Sequence, residues 1–128
     1  MSDIAGFVNR ENEQRAGAFR KNLADETFLR ELNDLLAGYD TILRDTTPNP
    51  LPSVYIFGLP RSGTTVVCQA LVNCLRCAWP TNLMARFWRS PVVGMRLSRL
   101  LGLFDAEVSY QSAFGVTGCV HEPHEFGY

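Results

Sequence analysis

The sequence predicts an α/β fold, a parallel sheet layered between helices, helix-rich and incomplete, with only its N-terminal part present. Three observations carry that expectation. SVYIF, residues 53–57, is a short apolar, β-favouring run suited to a strand buried on both faces. The glycine-bearing loop FGLPRSGTT, residues 57–65, follows directly. TTVVCQALVNCLRC, residues 64–77, is then apolar almost all round, as a helix packed against a sheet is. Strand, loop and helix in that order open a βαβ unit. Incompleteness is expected because residues 107–120 offer only weak further strands, whereas a doubly wound sheet has roughly five or more.

Residues 3–45 read as helical. Phe28, Leu29, Leu32, Leu36, Tyr39 and Leu43 recur at three- and four-residue spacing with charges between them. Asp25 is the expected N-cap, dividing this helix from a more polar one over residues 9–23. TTPNPLP, residues 46–52, ends the helical stretch, because its prolines lack N–H donors and restrict their neighbours. The expected division is therefore 1–52, helices and a proline-rich linker, and 53–128, the first part of the α/β domain. Within the latter, Gly63 opens a helix running to about Arg76, and further helices are expected over 81–88 and 92–101.

Apolar residues make up 46% and charged residues 20% of the chain, a globular rather than a disordered composition. No apolar run approaches the ~18 residues of a membrane span. The N-terminus has no basic flank before an apolar core, so a cytoplasmic protein is expected. The net charge of −1 conceals a segregation. Residues 46–104 hold six arginines (61, 76, 86, 89, 96, 99) and no acid, between flanks with nine acids against six bases and four acids against none. Such a block is a candidate anion-binding surface, or a set of arginines paired with those flanks. No nucleic-acid partner is expected.

Cys74 and Cys77 form a CxxC, with Cys119 and His121 downstream as further potential zinc ligands. A redox CxxC opens a helix after a strand, where the helix N-terminus acidifies the thiol. This one closes a helical run, and no second CxxC follows. Free, mostly buried thiols and no metal are the expectation.

The loop carries the chemistry. Against GxxxxGK[ST] it supplies Gly58, Gly63 and Thr65, but Thr64 stands at the lysine position and the cation sits earlier, as Arg61. Gly63 lets backbone approach an anion, helix-start N–H groups point at it, and Ser62, Thr64 and Thr65 add hydroxyl donors. Without the lysine, and without a downstream apolar strand ending in Asp, the usual magnesium–triphosphate geometry is disfavoured.

VYIFGLPRSGTT resembles the 5′-phosphosulfate loop of sulfotransferases that use 3′-phosphoadenosine 5′-phosphosulfate (PAPS). Residues 60–65 match that family's Pro-Lys/Arg-Ser-Gly-Thr-Thr, and NLMARFW (82–88) and HEPHEFGY (121–128) resemble segments of a bacterial subgroup. The resemblance covers residue 53 onward, about the first half of the family's P-loop-type three-layer fold. It implies a transferase moving a sulfuryl group from PAPS to a hydroxyl or amine, without a metal. Arg61 would relieve charge on the bridging oxygen and sulfonate, while Pro60, Arg61, Ser62, Gly63, Thr64 and Thr65 form the cofactor loop. For the general base it points to His121 or Glu122, about sixty residues beyond Arg61, a purely structural His-Glu-Pro turn remaining open. The acceptor, whether small molecule, glycan, lipid or peptide, is not specified. The family's 3′-phosphate and adenine contacts lie further along than this chain extends.

Two other readings stand beside it. One is a divergent P-loop kinase or phosphatase of small phosphorylated metabolites. The other is a non-catalytic remnant or partner module. A half-built sheet would also leave an edge open to self-association.

Overall fold

The computed structural model describes residues 12–15, 17, 20–46, 52–59, 61–75, 77–113 and 115–124. Two compact units divide it, Met1–Leu32 and Asn33–Tyr128. Helix α1, Leu23–Asp45, starts in the first, and its residues from Asn33 belong to the second. In the first unit the Asn12 side chain brackets Lys21, accepting from its N–H and donating to its carbonyl, both at 2.9 Å. The cap of α1 is Asn22 rather than Asp25: its Oδ1 accepts the Ala24 N–H at 3.0 Å. Asp25 and Glu26 lie instead in the first turn and Arg44 in the last, each charge complementing the helix dipole. Part of the expected 9–23 helix falls outside the described residues.

The second unit follows with α2 (Thr64–Cys74), α3 (Asn82–Ala85), α4 (Pro91–Leu100) and a 3₁₀ turn, Leu103–Asp105. Pro91 opens α4, where its missing N–H costs nothing. Gly102, at φ +66°, closes it, donating to the Arg99 carbonyl at 3.0 Å. Helices α3 and α4 meet at Gly94. A Cβ there would lie 3.0 Å from Phe87 Cβ and 3.1 Å from the Met84 backbone.

Among the described residues the apolar core is small, formed by Leu43, Trp79, Phe87 and Val108, with Trp79 packed edge-on against Phe104 at 5.1 Å. Buried polar side chains provide much of the remaining organisation. Asn33 donates to the Arg86 carbonyl (2.8 Å) and accepts from the Arg89 N–H (3.0 Å) and the Ser90 hydroxyl (3.2 Å). Asp40, one turn short of the end of α1, accepts from the Val93 N–H at 2.9 Å and thereby caps α4, whose own N-cap residue Ser90 makes no side-chain cap bond. These two residues, not Phe28 and Tyr39 of the expected apolar stripe, are the most buried on α1; Phe28 and Tyr39 are exposed.

The α/β expectation is overturned. Among the described residues there is no strand, only isolated bridges between Thr81 and Pro123 and between Ala113 and Val116. A strand buried on both faces needs neighbours for its backbone groups. The described residues of 107–120, the expected neighbours, form no strand. Residues 53–57 accordingly have no regular secondary structure, with Val54, Tyr55 and Phe57 at 80%, 74% and 90% exposure. With no sheet there is no sheet edge, so the expected self-association through one falls as well. Among the described residues, no helix is long and apolar enough to cross a membrane.

Candidate functional site

The loop after residues 53–57 is a compact turn. The Ser62 N–H donates to the Leu59 carbonyl at 3.0 Å, and the Val67 N–H to that of Gly63 at 3.0 Å. Gly58 is required by the closure: a Cβ there would collide with Ser62 Oγ and approach Thr64 Cγ2 to 2.7 Å. Arg61 and Gly63 are both left-handed, at φ +64° and +85°, a conformation natural for the glycine and strained for the arginine. Gly63, the N-cap residue of α2, has no side chain to cap it, and no acid lies in the first turn of the helix. Arg61, Ser62 and Gly63 are exposed, and Thr64 and Thr65 half-buried, all gathered at the start of this helix. Pro60 lies outside the described residues.

His121 and Glu122 sit in a turn latched onto the chain around α3. Asn82 and Leu83 donate their N–H groups to the Glu122 and Val120 carbonyls at 3.0 Å, and His124 donates its own to Pro80 at 2.8 Å. Trp79 Nε1 donates to the His121 carbonyl at 3.1 Å. The Asn82 amide nitrogen reaches the Thr117 hydroxyl and the Cys119 carbonyl at 2.8 Å each, while its oxygen faces His124 Nδ1 at 2.8 Å.

Glu122 is fully buried. One oxygen accepts the Ser109 N–H at 2.6 Å, the other the Gln69 amide at 3.2 Å. Burial pushes its carboxyl upward, but hydrogen bonding from Ser109 and Gln69 and the charge of neighbouring His121 outweigh burial and hold it below its ordinary value. A carboxylate whose pKa is lowered and whose two oxygens each already accept a hydrogen bond is a poor proton acceptor. His121 Nε2 lies 3.0 Å from the Glu107 carbonyl and 3.9 Å from Glu122 Oε1. Sequence reasoning missed Gln69, the residue that joins the HEPH turn to α2. It was legible only as the one amide on the buried face of an otherwise apolar helix. Its Oε1 is buried without a hydrogen-bond partner among the described residues.

The thiols differ from expectation in burial: Cys74, Cys77 and Cys119 are exposed and Cys68 half-buried, none of them in a disulfide. Among the described residues no three His, Cys, Asp or Glu side chains converge as a metal site.

Comparison with protein-family models, with curated proteins and with solved structures gave no match in any of the three. The resemblance to PAPS-dependent sulfotransferases is therefore corrected. That fold holds its cofactor loop between a central parallel strand and a helix, and here the strand and its sheet are absent among the described residues. PAPS as co-substrate, the sulfuryl-transfer enzyme and the role of Arg61 in it fall with the sheet. A P-loop kinase or phosphatase needs the same sheet and falls with them. Of the readings drawn from the sequence, the non-catalytic module is the one the helical structure accommodates.

Proposed function

We propose that this chain is a non-catalytic binding module that presents residues 53–59 to a second polypeptide with an open sheet edge. The observation that carries this reading is the state of the segment. Val54, Tyr55, Phe57 and Leu59 are 74–90% exposed, and among the described residues the only backbone bond made by 53–59 is the one the Leu59 carbonyl accepts from Ser62. Tyr55 and Phe57 stack at 6.3 Å, as same-face neighbours of an extended chain do. A partner strand would satisfy the free backbone groups, and alternate pockets would take the side chains. Burying the two rings alone contributes roughly 3–6 kcal/mol. The engagement of Glu122 and His121 in structural bonds supports the same reading.

The test places a photo-crosslinking phenylalanine analogue at position 57 in cells. The expected result is a discrete adduct with a second polypeptide, lost with Tyr55→Asp, and slowed amide exchange over 54–59 within it. No adduct, or one indifferent to Tyr55→Asp, refutes the proposal.

Two expectations join this proposal. A reducing, cytoplasmic setting is supported by the three exposed free thiols. Oxyanion binding by Arg61, Ser62, Gly63, Thr64 and Thr65 is supported by the uncapped start of α2. Phosphate titration should shift the Gly63–Thr65 amide resonances saturably; unmoved resonances would end that idea.

A further inference from the structure

Away from residues 53–65, the second unit carries a groove between the C-terminal half of α1 and helix α4. It is a shallow groove, open to solvent, of about 240 Å³, lined by Tyr39, Leu43, Val93, Arg96, Leu97 and Leu100. Leu43 is the buried floor, Val93 and Leu97 are half-buried walls, and Tyr39 and Leu100 stand on the rim, 55% and 80% exposed. The apolar surface continues along α1 through Leu35 and Ile42, which share a helical stripe with Tyr39 at spacings of four and three and are 81% and 62% exposed.

The charge on the groove is one-sided. Arg44 is bonded to Asp40 and Arg89 to Asp34, so two basic side chains of this unit already have carboxylate partners. Arg96, which lines the groove, and Arg99, three residues on along the same helix, have no ion-pair partner among the described residues. The α4 wall therefore sets uncompensated positive charge beside an apolar slot.

We infer that this groove docks an acidic amphipathic helix of another protein, one apolar anchor filling the slot and a carboxylate about one turn away meeting Arg96. An apolar slot between two helices, with a stripe at helical spacing beside it, suits helix-in-groove recognition. Complementary charge at the rim fixes orientation and speeds encounter. An anionic bilayer fits worse, because its flat surface cannot enter a slot between two helices. The inference is independent of the role given to residues 53–59, so each can fail alone.

Fluorescence anisotropy on the full chain tests it with a labelled 15-residue peptide carrying Leu at i, i+4 and i+7 and Glu at the other exposed positions. The same peptide with Lys for Glu, and phosphatidylglycerol vesicles, are the comparisons. Saturable binding of the Glu peptide is expected, weakened about tenfold by Arg96→Glu and by Leu100→Asp, with the Lys peptide weaker by a similar factor. Both substitutions fall on exposed side chains, and circular dichroism checks that the fold persists. Equal binding of the two peptides, indifference to both substitutions, or binding to vesicles in preference to the Glu peptide would overturn the inference.

Discussion

Replacing Asp40 tests the central packing device, the capping of one helix by a side chain of another. Its carboxylate is buried, accepts the Val93 N–H at 2.9 Å and faces Arg44 at 3.2 Å. Asp40→Ala removes the side-chain acceptor of the Val93 N–H in the first turn of α4, an N-cap worth about 0.5–2 kcal/mol. It also removes a negative charge from the positive end of the helix dipole, worth about 0.3–2 kcal/mol when partly buried. The Arg44 contact adds little, because that guanidinium is 64% exposed. Together they amount to about 1–4 kcal/mol. Asp40→Asn keeps an acceptor for Val93 and loses only the charge, so about 1 kcal/mol is expected. Arg44→Ala should cost less than about 0.5 kcal/mol. Urea unfolding of the three variants against the parent gives the ordering directly. At this chain length each kcal/mol also lowers Tm by roughly 3–5 °C. If Asp40→Asn is as damaging as Asp40→Ala, the charge rather than the cap bond holds α4. If Asp40→Ala costs no more than Arg44→Ala, α1 does not cap α4 at all.

Two further outcomes follow from the same geometry. Gly94→Ala puts a methyl group 3.0–3.2 Å from Phe87 Cβ and from the Met84 backbone, which cannot step aside. Overpacking of about 1–3 kcal/mol should exceed the ~1 kcal/mol gained in helix propensity, and a more stable variant in urea would show that α3 and α4 can separate there. Glu122 is held below its ordinary value of 4.5, so the stability it contributes is fully present above that pH and is lost as pH falls through the folded value. Glu122→Gln should lower stability at pH 7 and flatten its pH dependence below 4.5; an unchanged acid limb in urea titrations would show that Glu122 is not the group responsible.

Much of the local structure was legible in the chain. Pro91 and Gly102 mark the two ends of α4, and the apolar run after Gly63 gives α2, because these signals act on backbone within one helix. The candidate loop was legible too, from Gly58, Arg61 and Gly63, whose turn closes on itself. The link from α2 to the HEPH turn was not. Gln69 and Glu122 are 53 residues apart, and an amide on an apolar helix face does not announce its partner.

The largest misreading concerned residues 53–57, and its cause is physical. Apolar β-favouring composition states what a strand could bury, whereas a strand exists only where other chain segments complete its hydrogen bonds. By itself the sequence determined where α2 and α4 lie, where the loop bends, and that the arginines of 46–104 have no acids among them. The tertiary structure alone decided which side chains went inside. It chose Asn33, Asp40, Gln69, Thr81 and Glu122 over Phe28, Tyr39 and Phe57. A polar group is buried without penalty only when distant backbone or side-chain groups meet it, and that is a property of the assembled fold rather than of any window of sequence.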